Sequence, residues 1–277
     1  PSPPPPTLTD WSGNIVVFKE RHYYLVEADL DMANDVVICA GVEGVSPVCT
    51  DVFTCNGNND IDCGEEEHPH LDFGGRRSIT ILTHVTLRNL RLSGFTDFVV
   101  NTGGILKLEN CIIDGGEDSN EIEVSGEVHA IGTRFEKFTA TAVVIESDAT
   151  AKFEGCYFLN NGENTVEIKE NAGSIIFRAC SFSTDDLDVL SHKTAILVSG
   201  NHIITMSNVT FDKYYKIDGS NTRVEVDRGV LITSTCTNEF ENVLLNKIIS
   251  TDDSNIPNYA EVPDGTCVPK GVVETLQ

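Results

Sequence analysis

The chain has 277 residues, 40% of them hydrophobic, with 19 Lys+Arg against 43 Asp+Glu and a formal net charge of −24. That charge repels nucleic-acid phosphates and anionic membrane surfaces, and no basic cluster is dense enough to override it. No apolar run approaches the roughly 18 residues needed to cross a bilayer, so carbohydrate, divalent cations and other copies of the protein are the expected partners.

The chain opens on a Pro-rich lead, residues 1–10, in which Ser2, Pro3, Pro4, Pro5 and Pro6 form a stiff polyproline II segment without the N–H donors to join a sheet. The start lacks the basic and apolar regions of a signal peptide and reads as a mature or excised segment. The S-P-P-P-P unit resembles that of extensins and other hydroxyproline-rich extracellular matrix glycoproteins of plants and green algae. The resemblance implies hydroxylation and glycosylation of these residues.

Residues 11–70 are predicted to form an N-terminal cap and the first coils. Four of the nine cysteines, Cys39, Cys49, Cys55 and Cys63, fall within 25 residues of this region. That density points to an oxidising compartment and an extracellular location. The spacing contains no C-x₂-C pair, which favours disulfides over zinc. H-P-H (68–70) follows three glutamates and reads as a solvated loop rather than a metal site.

From His70 to Ile256 there is no proline across 187 residues, as paired strands require. Residues 71–250 carry an internal repeat. V-T-L-R-N-L-R-L (85–92), L-K-L-E-N-C-I-I (106–113), V-H-A-I-G-T-R-F (128–135), A-K-F-E-G-C-Y-F (151–158), I-I-F-R-A-C-S-F (175–182) and I-T-M-S-N-V-T-F (204–211) fit one template. Their last residues are separated by 21, 22, 23, 24 and 29 residues, and a degenerate copy ends F-E-N-V-L-L (240–245).

Within each copy the apolar positions alternate with period two on both sides of the fifth slot, so both halves are strands with one buried face. The fifth slot holds Asn89, Asn110, Gly132, Gly155, Ala179, Asn208 and Asn242. Asn and Gly enter the left-handed region at least cost, which makes this slot a one-residue corner. Ala179 should be a strained or differently bent corner. A further short strand precedes each copy, as in F-V-V (98–100), I-E-V (122–124), V-V-I (143–145) and V-E-I (166–168).

Three strands per coil of about 22 residues describe an all-β parallel β-helix; seven to ten coils rising about 4.8 Å each would make a rod of roughly 35 to 50 Å. The signature seen in 204–211 and 85–92 resembles the right-handed parallel β-helix of the pectin-lyase-like superfamily. The resemblance implies right-handed coiling and a capped N-terminal end.

Stacking in register turns each slot into a column. The sixth slot places Cys111, Cys156 and Cys180 inside the rod as buried thiols, with Thr133 as its one polar occupant. An even set of cysteines remains. Cys236 with Cys267 would pin residues 251–277, a Pro-containing tail, over the C-terminal end. The other four allow three connectivities, of which Cys39 with Cys63 and Cys49 with Cys55 is preferred.

The outward slots give three faces. The first strand is acidic (Glu123, Val144, Glu167 and Glu225, with Lys169 nearby), the second mildly basic (Thr86, Lys107, His129, Lys152, Ile176, Thr205), and the third mixed with exposed apolar and aromatic groups (Arg91, Ile112, Arg134, Tyr157, Ser181, Thr210, Leu244). Such faces could serve lateral contact between rods.

Asp185, Asp186 and Asp188 lie within four residues and are the best catalytic or Ca²⁺ candidate; otherwise no cofactor is implied. The polygalacturonase enzymes of the superfamily carry N-T-D, D-D, G-H-G and R-I-K motifs. Here only an isolated T-D-D is present, and no Arg stands beside Asp185 as in pectate lyases. Asn208 begins the one N-glycosylation sequon, in a corner slot.

These features predict a non-catalytic extracellular structural or adhesive module of a Pro-rich glycoprotein in a matrix, cell wall or filament. Its partners would be other copies or matrix glycoproteins and carbohydrate. The alternatives are a polysaccharide lyase or glycoside hydrolase, and a glycan-binding module.

Overall fold

The computed structural model describes residues 15–19, 23–26, 28–41, 68–116, 121–162, 164–183, 194–198, 203–207, 209–212, 216–217, 223–225, 230–232, 239–246, 260–261 and 270–273. The predicted corners explain its geometry. Asn89, Asn110, Gly132, Gly155 and Ala179 have φ of 55, 50, 57, 59 and 52°, so each turns the chain through a single left-handed residue. Ala179 therefore bends like the others and carries the strain of an L side chain in that region.

The corner amides link the coils. The N–H groups of Asn89, Asn110, Gly132 and Gly155 donate to the carbonyls of Glu109, Ile131, Glu154 and Arg178 in the following coil, at 2.8 to 2.9 Å. Glycine at 132 avoids a close approach, since a Cβ there would stand 2.5 Å from Asn110 Oδ1.

Between corners the strands form three parallel ladders. The second-strand ladder runs through Ile105–Glu109, Glu127–Ile131, Thr150–Glu154 and Ser174–Arg178. Ile112–Asp114, Arg134–Glu136, Tyr157–Leu159 and Ser181–Ser183 make the third-strand ladder. The first-strand ladder contains Ile122–Val124, Val143–Ile145, Asn164–Ile168 and Thr194–Val198.

Five consecutive coils span 84–198, and Ile15–Lys19, Tyr23–Leu25, Leu30–Met32 and Val36–Gly41 extend the same ladders on the N-terminal side. The separate third and first strands expected in each coil are merged in two places. His70–Ile81 and Arg91–Val100 are continuous strands whose mutual register shifts between Asp72 and Ile79. The strand count thus falls while the three ladders persist.

The interior is a set of columns. Phe135, Phe158 and Phe182 stack with centroids 4.9 and 4.5 Å apart, and Phe153 stacks on Phe177 at 5.1 Å. Earlier coils place Leu92 and Ile113 in the first of these columns, so this column changes from aliphatic to aromatic along the rod.

Cys111, Cys156 and Cys180 are free and buried, as expected. Each thiol faces a backbone carbonyl of the preceding coil: Leu87, Ala130 and Phe153, at 3.3, 3.3 and 3.4 Å. Burial pushes the Cys111 thiol up to about 12 and the Cys156 thiol well above its ordinary value. Thr133 fits the same column because its hydroxyl reaches the Ile131 carbonyl at 3.3 Å and the Cys111 N–H at 3.4 Å.

Candidate functional site

The faces of the rod are less simple than their residue types imply. Val144 and Ile112, expected to point into solvent, are each only 6% exposed. In the ladders Val144 lies between Glu123 and Glu167, and Ile112 between Arg91 and Arg134. Long side chains on both neighbouring rungs can cover a shorter one between them.

The second-strand face is not basic in effect, because glutamates pair with its cations. Lys107 and Arg88 both meet Glu109, His129 contacts Glu127 at 2.8 Å, and Lys152 and Arg178 reach Glu154 at 2.9 and 3.1 Å. Burial alone would raise the Glu109 carboxyl; hydrogen bonds from Lys107 and Arg88 outweigh it and hold the group below its usual range. For Glu154 the hydrogen bond from Lys152 is the main cause of a lowered value, offset in part by burial and assisted by Arg178.

The densest charge cluster lies on the third-strand face. Asp114 and Glu136 occupy adjacent rungs of one outward column, where like charges about 4.8 Å apart would repel. Cations converge on them. Arg91 contacts Asp114 at 2.5 Å and Glu136 at 4.0 Å, Arg134 pairs with Glu136, and Lys137 reaches Glu136 at 3.3 Å and Asp114 at 3.7 Å.

Lys137 has φ of 59°, which turns the chain as the third strand ends. The next residue, Phe138, is buried against Gly115, where a Cβ would stand 2.6 Å from its ring. Asn161 holds this turn from the following coil, accepting from Phe138 N–H at 3.2 Å and donating to the Phe135 carbonyl at 3.1 Å. Glu136 is consequently 0% exposed although its slot points outward. Burying a carboxylate is costly unless cations stand beside it, and those beside Glu136 come from two coils.

A hydrogen-bonded network occupies the same face toward the N-terminal end. His70 Nε2 lies 2.7 Å from Ser93 Oγ, and Tyr23 packs edge-on to the His70 ring with centroids 5.0 Å apart. Tyr23 donates its hydroxyl proton to Asp72, which also accepts from Gly74 N–H at 2.8 Å. The hydrogen bond to Asp72, then burial and its negative charge, push the Tyr23 hydroxyl up to about 12.

H-P-H is not the solvated loop expected from the sequence. His68 and Pro69 are buried, His68 Nε2 lies 3.1 Å from the Asn110 carbonyl, and His70 begins a strand. Pro69 is tolerated because its carbonyl accepts from Arg91 N–H at 3.0 Å, leaving its missing N–H without consequence for that rung.

Of the residues singled out by sequence, Cys39 is buried and disulfide-bonded. Cys49, Cys55, Cys63, Cys236, Cys267, Asp185, Asp186, Asp188, Asn208 and Ser2 to Pro6 lie outside the described residues. Among the described residues no group of three or more His, Cys, Asp or Glu is placed to hold a metal ion. No helix among them is long and apolar enough to cross a membrane.

A family model described as right handed beta helix region matches residues 76–245. The chain belongs to the right-handed β-helix family. The matched span contains the left-handed corners from Asn89 to Ala179 and most of the ladders described above, and it supports the likeness to the pectin-lyase-like superfamily. Comparisons with curated proteins and with solved structures gave no match.

Proposed function

We propose that this β-helix is an extracellular structural or adhesive module of a Pro-rich glycoprotein, one that does not cleave glycosidic bonds. The observation that carries this reading is the use of its outward charges. Glu109, Asp114, Glu136 and Glu154 are all committed to Arg or Lys, several from adjoining coils.

A glycosidase general acid needs a carboxyl whose pKa is raised toward the working pH. Glu109 and Glu154 are held in the opposite direction. Pairs of this kind tie coils together and stiffen a rod.

On this reading the bonded Cys39 belongs to an N-terminal cap, with Cys39–Cys63, Cys49–Cys55 and Cys236–Cys267 as the pairings. The polyproline lead would carry hydroxyproline-linked glycans, with Asn208 as an N-glycan acceptor, and matrix or cell-wall glycoproteins or other copies would be the partners. Asp185, Asp186 and Asp188 would supply a Ca²⁺ site.

Electron imaging of native material, with intact-mass analysis, tests the proposal. A periodic filament or matrix and added pentose and hydroxyproline are expected. Free rods with an unmodified lead and Ca²⁺-dependent cleavage of a polyuronate would overturn it in favour of a lyase.

One observation favours a glycan-binding role on the same face. Tyr157 is 36% exposed, in register between Arg134 and Ser181, and a flat aromatic ring flanked by polar groups suits the apolar face of a sugar. Loss of retention on immobilised glycans in Tyr157→Ala would establish that role.

A further inference from the structure

A serine hydroxyl is a weak nucleophile unless a base within hydrogen-bond reach can take its proton. Ser93 Oγ and His70 Nε2 lie 2.7 Å apart, inside the range of about 2.6 to 3.2 Å that such pairs need, and meet that requirement in the tautomer whose proton is on Nδ1. The contact crosses one rung diagonally, because His70 is in register with Arg91 and Asp72 with Ser93. Both residues are half-buried, so the pair remains open to solvent.

Supporting groups fix the imidazole. Tyr23 occupies the rung before His70 and packs edge-on to its ring. Asp72 accepts the Tyr23 hydroxyl proton and is itself held by Gly74 N–H. Next to the nucleophile the chain turns at Gly94 with φ of 65°, where a Cβ would stand 2.6 Å from Asp72 Oδ1 and 3.1 and 3.2 Å from the nitrogens of Gly74 and Gly75. Glycine suits this position beside the serine, where a side chain would meet the Asp72 carboxylate and the backbone of Gly74 and Gly75.

We infer that Ser93 and His70 are a nucleophile–base dyad that hydrolyses small carboxylic esters. Ser93 Oγ attacks the ester carbonyl carbon as its proton passes to His70 Nε2. The tetrahedral adduct collapses by breaking the bond to the alcohol oxygen, which leaves with that proton. Water then attacks the acyl carbon, giving one proton to the same Nε2. Collapse releases the carboxylic acid and returns the proton to Ser93, with no change in oxidation state. The dyad lies on an open strand face, which admits a small ester from solvent. The inference does not rest on the structural reading of the rod and leaves glycosidic bonds untouched.

The full chain should form a covalent adduct with a fluorophosphonate probe, mapped by peptide mass spectrometry to Ser93, and should turn over p-nitrophenyl acetate. Ser93→Ala should abolish both. His70→Gln should slow both by about 10²-fold or more, the usual contribution of a general base, with melting temperatures unchanged. Thr96→Ala, on the same strand, should behave as wild type. No adduct at Ser93 in the unsubstituted protein, or hydrolysis that persists in Ser93→Ala, would overturn the inference. The adduct is read on the unsubstituted chain, so misfolding of a variant would not obscure the result.

Discussion

The inward and outward columns of the third-strand ladder obey different rules, although they share one backbone. Inside, identical residues stack directly, as in Phe135, Phe158 and Phe182. Apolar contact carries no sign, so repetition strengthens it. Outside, repeating a charge at the same spacing costs energy. The sequence spaces like charges by a neutral residue, placing Ile112 between Arg91 and Arg134 and Val144 between Glu123 and Glu167. Asp114 and Glu136 break the rule, and there three cations gather. A β-helix can therefore copy its core from coil to coil, but must vary its surface.

The largest effect should come from interrupting the inner column. Phe158→Ala removes a ring stacked between Phe135 and Phe182 and edge-on to Phe153 at 5.5 Å. It should cost about 3–5 kcal/mol in denaturant unfolding. A loss below about 1 kcal/mol would mean that the stack is not continuous.

Next is the exception in the outer column. Glu136→Gln preserves shape but leaves Arg134 and Lys137 without their buried counter-charge. A loss of about 2 kcal/mol is expected, discounted from a fully buried pair because both cations retain solvent. If Ser93→Ala, one rung beyond Asp114 on the same column, costs as much, the cluster has no special standing.

At the corners the comparison becomes one of backbone strain. Ala179→Gly relieves a left-handed alanine and should raise stability by about 0.5–1 kcal/mol after glycine's entropy cost. Gly132→Ala should move it the other way by more, since the new Cβ would clash with Asn110 Oδ1.

The smallest effect concerns pH. Glu109 and Glu154 have folded values below those of the unfolded chain, so their contribution is complete above the ordinary glutamate value near 4.3. It is lost as pH falls through the lowered values. Urea midpoints should fall on acidification in this window, and a Glu109→Gln, Glu154→Gln double variant should show a shallower fall.

The same asymmetry explains what the sequence could reveal. The corners and the thiol column were legible because each recurs with the coil period, and Thr133 was visible as the one polar intruder. The cluster at Asp114 and Glu136 was not. Its members occupy different slots of different coils, and their meeting depends on side-chain reach and on the turn at Lys137. Likewise H-P-H read as solvated from the glutamates before it. Buried His68 finds a partner 42 residues away, the Asn110 carbonyl, which no local pattern announces.

Successive coils run parallel and lie in register. Thr86, Lys107, His129, Lys152, Ile176 and Thr205 are successive partners in one ladder. Spin labels at Thr86 and Thr205 should thus be separated by five rungs of about 4.8 Å, a backbone distance of about 24 Å, read by double electron–electron resonance. A narrow distribution centred there, broadened only by label length, is the predicted result. A distribution centred above about 40 Å, or one without a peak, would contradict the stacked architecture.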